Sequence, residues 1–431
     1  MKTLHSLLLT LIVLMLISCG KDDDNNQGDP LQISLESNFA FDLQEQGILS
    51  EGVDEYVYLR KFGDLLVLIS DNRIVGFNTD GAKLWERDNN YDFGQFTKGL
   101  IQGNNLTLFS DQQFFNTKLT LNRASGSIVQ EVDFFTLLPT GLIDFTKTII
   151  GSKIYIFGVE NLQAPQHRFF LFEYEIGSSM ANEIMSFEIP GKNYGGISRL
   201  VYDEVSSSVY ASFTANKDDN TASVGLIKMD VSNNSHEIFE LFEVEGMAFN
   251  NERISLLDRT VIASNGGSDV KLFAFEIDNE NLLFSRTSED DFDQLSISHF
   301  TTEANDLLLY RLFLAGNFQD LYNLTQLASF NVETLSESPW SGSYYMIGQN
   351  FEFHNQSATI PLYSLGGDFS DQFISQIHFV SSAKGELMGY FDVGEIENTT
   401  GFISNTLVCN ETNRLFVVDD NFNLHSFNYP F

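Results

Sequence analysis

The sequence predicts an all-β fold, a closed ring of eight four-stranded antiparallel sheets. Three observations predict it. A strand-like segment ending in an apolar residue followed by a polar one recurs eight times; turn residues cut each period into short strands; and the last period lacks an outer strand that the N-terminal segment can supply.

The recurring segments are IVGFN at 74, KLTLN at 118, LFEYE at 171, LIKMD at 226, LFAFE at 272, LASFN at 327, IHFVS at 377 and LHSFN at 424. Their apolar markers are Phe77, Leu121, Tyr174, Met229, Phe275, Phe330, Val380 and Phe427, spaced 44 to 55 residues apart. Three positions before the marker stands Leu or Ile in every segment except the second, which has Lys118. Length alone suggests two or three domains, but a period near 50 residues takes precedence as a sign of repeated supersecondary units.

The first period runs EYVYLRKFGD, LLVLISDN, RIVGFNTDG and AKLWERD, each boundary marked by Gly, Asn or Asp. The second follows as TKGLIQGN, NLTLFSD, TKLTLNRASG and SIVQEVD. Four short strands per period are the mark of a β-propeller. Stacked blades bury both faces of their inner strands, so apolar runs replace alternation, and the 40 Phe residues suit flat blade-to-blade packing. Two stacked sandwiches would not need one marker along the whole chain, and a seven-bladed ring is the nearer alternative.

Phe427 lies four residues before the end, which leaves the eighth blade its third strand and no fourth. An exposed edge there invites aggregation. Residues 31–44, LQISLESNFAFDLQ, read as a strand ahead of the first blade and are expected to close the ring as the eighth blade's outer strand.

Ahead of that strand, residues 1–18 combine an early Lys with an apolar run from Leu7 to Ile17. This is too short for a hydrocarbon core that needs about 20 residues, and reads as an export signal. Residues 19–30, CGKDDDNNQGDP, carry nothing to bury and read as a disordered tether ahead of a propeller domain at 31–431. Lys and Arg number 24 against 59 Asp and Glu, a formal net charge of −35. Such a field repels phosphate backbones, so nucleic acid is not expected as a partner.

Leu16-Ile17-Ser18-Cys19 resembles the lipobox of bacterial lipoproteins, which implies lipidation of Cys19 and membrane attachment through acyl chains. Gly20 after the Cys resembles lipoproteins sent to a Gram-negative outer membrane, and the Lys with its acidic run resembles a surface-export signal. Cys409 is then the only thiol left, so no intrachain disulfide is expected.

GFNTDGAKLWERD resembles the quinoprotein-type (PQQ-like) repeat, in which Trp85 follows Gly81 by four residues. LTLNRASGSIVQEVD and HFVSSAKGELMGYFD look like weaker copies, with Gln130 and Gly389 in the Trp position. The resemblance implies an eight-bladed propeller of a group holding both dehydrogenases and non-catalytic envelope lipoproteins. Quinone-binding members carry a vicinal Cys pair and repeated docking Trp residues; this chain has a lone Cys409 and only Trp85 and Trp340. No cofactor is expected.

The first strand of each blade lines the channel. Counting back from the second strand places Arg60 or Lys61, Lys98, Lys147, Arg199, Arg253 and His299 at similar positions in six successive blades. They are candidates for a basic collar binding an anionic group at the channel mouth, against the simpler reading of cations paired with rim acids. Glu352 or His354 and Thr406 stand there in the last two blades. His378 and His425 share one template position and read as packing residues rather than metal ligands. Asp218-Asp219, Asp290-Asp291 with Asp293, and Asp419-Asp420 lack a complete calcium loop, and no nucleophile elbow, phosphate loop or dinucleotide fingerprint occurs. The expected function is a monomeric, lipid-anchored envelope protein that binds or scaffolds a protein or glycan partner. The alternative is an envelope enzyme, either a degenerate quinoprotein or a carbohydrate-active propeller.

Overall fold

The computed structural model describes residues 31–431 apart from 50–56, 92, 95–96, 111–116, 139–141, 164–165, 190–192, 218–220, 246–253, 258, 265–269, 288–296, 302–305, 316–321, 332–335, 338–351, 355–356, 366–372, 382–385, 397–402 and 420. Residues 1–30, with the expected signal, Cys19 and tether, lie outside the described residues.

Among the described residues, eight four-stranded antiparallel sheets follow one another along the chain. Seven are contiguous, at 57–88, 97–133, 142–188, 193–245, 254–287, 297–337 and 352–392; the eighth joins 403–428 to the strand Ser37–Asp42. The innermost strands stand side by side, blade eight against blades one and seven, and blade four against blades three and five. All eight markers fall at the penultimate position of a third strand. The repeat seen in the sequence is therefore one structural site, a large apolar residue where the third strand enters its turn.

The ring closes as expected. Ser37–Asp42 pairs antiparallel with Asn423–Asn428 from Asp42 opposite Asn423 to Ser37 opposite Phe427, outermost in blade eight. A second latch lies on the inner strands, where the Leu59 amide of blade one donates to the Asn405 side chain of blade eight at 3.2 Å. A third precedes the closing strand: Ile33 N donates to Tyr390 O at 2.7 Å and Tyr390 N to Leu31 O at 3.0 Å, holding the chain against blade seven's outer strand. The N-terminal segment thus staples blade seven to blade eight.

A β-bulge sits opposite the marker in blades one, two, five, seven and eight, with Leu84, Val129, Leu283, Met388 and Asn38 as the extra residues. Bulges re-aim the next side chain. Those next residues are Trp85, Gln130, Phe284, Gly389 and Phe39, which makes Phe39 the equivalent of Trp85. Trp85 lies over Gly126 in blade two's turn, where a Cβ would come within 2.7 Å of the ring, and its indole donates to Arg123 O at 2.7 Å. Phe39 covers Gly81 in blade one's turn in the same manner, at 2.3 Å from a notional Cβ. Both glycines also hold positive φ, +66° at Gly126 and +85° at Gly81, so the turns require glycine twice over. At Gly389 the docking side chain is missing, and Ile33 fills the place it would occupy.

Candidate functional site

The channel-facing candidates divide by register. Measured from the pair that closes each hairpin, Arg60 lies two steps in, Lys98 four and Lys147 three. Alternate residues of a strand point to opposite faces, so Lys147 faces away from the side shared by Arg60 and Lys98. It is fully buried in the seam between blades two and three, with its ammonium 4.7 Å from the Phe145 ring centre and 5.3 Å from that of Phe134. Arg199 is half-buried in a bulge between Ile197 and Leu200. His299 lies opposite Leu309 in the strand Ile297–Thr301, where only the backbone is described, as for Glu352 and His354; Arg253 lies outside the described residues. The cations therefore do not form one layer. Hairpins of different length shift the register, and counting from the second strand does not see that shift.

Lys61 pairs with Glu411 across the closing seam. The Arg60 guanidinium donates to Leu59 O at 3.0 Å and sits 5.8 Å from the Tyr58 ring centre. Thr406 is buried on blade eight's inner strand.

Sequence reasoning left aside the most unusual cation. Lys118 replaces the Leu or Ile of the other blades and is fully buried beside Lys147's seam. Its ammonium donates to Gln130 Oε1 at 2.8 Å and to the Tyr174 hydroxyl at 2.9 Å, both neutral. Burial pushes its pKa down to about 8. Elsewhere the shifted groups serve seams and turns. Burial alone would raise Asp203, but hydrogen bonds from Arg259 and Ser206 outweigh it and hold the carboxyl low. The Arg259–Asp203 pair ties blade five to blade four, and Arg259 also bonds Asp278 of its own blade. Burial lowers His378 to about 4. His425 is a packing residue as expected, its Nε2 2.8 Å from Asp419 Oδ2.

Asp419, half of one acidic pair singled out in the sequence, has no exposure. Its carboxylate accepts from Asn421 N at 3.0 Å, Asn423 N at 2.8 Å and the Asn423 amide, besides His425. These bonds hold the turn 421–423. Among the described residues no three His, Cys, Asp or Glu side chains converge at metal-ligand spacing. Asp218, Asp219, Asp290, Asp291, Asp293 and Asp420 lie outside the described residues.

That turn forms one wall of a cleft of about 1080 Å3 at the junction of blades seven and eight. The closing strand and the turn after it supply Ser37, Ala40, Asp42 and Glu45; blade seven's exit supplies Phe391 and Glu395; and Asn421, Phe422, Asn423 and His425 complete the lining. Asp42 Oδ1 accepts from Gln44 N at 2.7 Å and Glu45 N at 2.9 Å, which fixes the turn. Phe422 N donates to Asp419 O, and Phe422 O accepts from Leu43 N at 3.0 Å, tying the two walls together. No Lys or Arg lines the cleft among the described residues. No sequence signal marks it, because its walls come from three segments remote from one another in the chain.

No protein-family model matches the chain, and no curated protein matches it in sequence. Solved structures do. Sqt1 of Saccharomyces cerevisiae aligns over 93% of this chain and 100% of its own, with a TM-score of 0.53 and 9% identity. The computationally designed protein Ika8 aligns over 93% and 98%, with a TM-score of 0.51 and 9% identity. A europium-containing methanol dehydrogenase aligns over 88% and 85%, with a TM-score of 0.44 and 9% identity. At such identities the likeness to the first two concerns architecture alone. Together with the eight sheets and their closure, it makes this chain a β-propeller.

Proposed function

We propose that the protein is a non-catalytic binding propeller of a Gram-negative outer membrane, held by lipid on Cys19 and taking its ligand in the cleft between blades seven and eight. One observation carries the reading: the cleft's wall is the closing strand Ser37–Asp42, the first strand after the tether. The cleft's wall therefore begins only 18 residues along the chain from Cys19, within reach of an envelope component near the membrane. The wall is also pre-ordered, by the bonds of Asp419 on one side and Asp42 on the other, which lowers the cost of binding.

The quinoprotein-type resemblance belongs with this reading as an architectural one. Its support is the docking of Trp85 on Gly126 and of Phe39 on Gly81. The basic collar is a second, weaker site for an anionic group, resting on Arg60, Lys98 and Arg199; Lys147, buried in a seam, is not part of it.

The test is a photo-crosslinking residue at Ala40, exposed in the cleft, compared with one at Val205 on blade four, in the native bacterium. A discrete adduct from Ala40 alone, lost in a Cys19→Ala variant that no longer sediments with membranes, is the expected result. Equal labelling from both positions contradicts the cleft as the site.

A further inference from the structure

The seam between blades seven and eight is finished by two separate pieces of chain rather than by a turn. In blades one and two, the glycine turn beneath a docking ring joins a third strand to a fourth. In blade eight the third strand ends at Asn428 and the fourth begins at Ser37, so residues 429–431 and 31–36 stand in place of that turn. The two are fixed unequally. The Tyr429 hydroxyl bonds Ser357 Oγ at 2.7 Å and Thr359 Oγ1 at 2.6 Å, and the Phe431 ring packs 5.4 Å from that of Phe379.

The other piece is lightly held. Glu36 is pinned by Asn428, whose N donates to Glu36 O at 2.9 Å. Ahead of it, the backbone bonds of residues 31–35 among the described residues are the two to Tyr390, and Gln32 adds an exposed side-chain bond to Glu395. None of these residues is buried, and Leu31 is 69% exposed. The closing strand behind them differs in kind: a bulge at Asn38 leads into continuous pairing as far as Asp42, followed by Leu43, Ile48 and Leu49, all buried. Segments with few buried contacts open locally at much less than the cost of global unfolding.

What the light segment covers is apolar. Ile33 occupies the space over Gly389, its Cδ1 2.3 Å from where a Cβ would stand. Ile33 and Leu35 both pack on the seam cluster that holds Ile377, Phe379, Phe391 and Phe427.

We propose that residues 31–35 form a releasable strap, pivoting at Glu36: it lifts from blade seven while the ring stays closed, and uncovers the apolar seam beneath. The strap is the first described stretch after the tether expected at 19–30, so load on that tether reaches it before the closing strand. Release adds the strap's length to the tether, about 17 Å at full extension, and withdraws Ser34 and Leu35 from the lining of the cleft. The proposal does not require a ligand in the cleft.

The test uses the mature chain from residue 19 with Cys19→Ala, so that no lipid is attached. Hydrogen exchange is read by mass spectrometry on peptic fragments, and the Ile33 amide should exchange about 100-fold faster than those of Ser37–Asp42. Gly389→Ala sets a methyl against the Leu31 carbonyl as well as Ile33, so a side-chain rotation alone does not relieve it. This variant should strip the strap of its remaining protection, leave Ser37–Asp42 unchanged and raise binding of the neutral apolar dye Nile red several-fold. Adding Gln32→Cys/Tyr390→Cys, a pair that faces across the strap's bridge, should reverse both effects when oxidised and restore them when reduced. Thermal melts confirm that the variants remain folded, and Ile33→Gly serves as a second loosening variant for the exchange measurement. Four results overturn the proposal: equal protection of strap and closing strand, loss of both together, a strap still protected in both loosened variants, or release without a rise in dye binding.

Discussion

Replacing Lys118 by Met removes a charge from a fully buried place and keeps the length of the side chain. The drop in pKa from 10.5 to about 8 means that the folded state disfavours the ammonium by about 3 kcal/mol, at 1.36 kcal/mol per pKa unit. Relaxation and solvent screening reduce this to about 1.5 kcal/mol. The partners tolerate the change, since the Tyr174 hydroxyl still donates to Ser178 O at 2.9 Å and Gln130 is half-buried, within reach of water. Below pH 8 the lysine is charged in both states and the folded protein bears the full penalty. As pH rises from 8 towards 10.5 the folded state sheds its proton first, and stability rises. Urea unfolding at pH 7 should therefore show Lys118→Met more stable by about 1.5 kcal/mol, with the advantage shrinking by pH 10. A variant less stable at pH 7, or a difference independent of pH, would refute the claim that this amine is held without a counter-charge.

Phe39→Ala strips the ring from Gly81; half-burial of a side chain that buries 150–250 Å2 in full corresponds to about 2 kcal/mol, read as a lower melting temperature, whereas Asn38→Ala at the exposed bulge position is silent. Gly126→Ala sets a Cβ 2.7 Å from the Trp85 ring at a φ of +66°, and should cost about 2 kcal/mol in the same assay. His378, lowered to about 4 by burial, stabilises the fold fully above pH 6.5 and loses that contribution as pH falls through 4, so His378→Phe should flatten the acid limb of the stability profile.

Most of the ring was legible because blade packing demands the same residue at the same place. The eight markers all end third strands, and residues 31–44 do contain the closing strand. The docking Trp85 was legible as well, yet its equivalent Phe39 was not, since the register that aligns them runs through a strand from the other end of the chain. Nor could the role of Ile33 be read, for it fills a gap left by Gly389 some 350 residues away. Lys118 was visible as the one exception in its column, but its meaning depended on Tyr174 in the next blade. The collar misled in part because face and depth on an inner strand depend on each hairpin's length, which took Lys147 out of the group. The cleft left no pattern at all, being assembled by the closure itself.

Everything above depends on the two ends of the chain sharing one sheet in one register. Asp42 and Asn423 are direct partners, with Cβ atoms about 5 Å apart in such a pair. Oxidising an Asp42→Cys/Asn423→Cys protein should give a disulfide between these two positions, found as one linked peptide, and should raise the melting temperature. The offset pair Ser37→Cys/Asn423→Cys should stay reduced. Efficient linkage of the offset pair, or none in the matched one, would contradict the closure and with it the cleft.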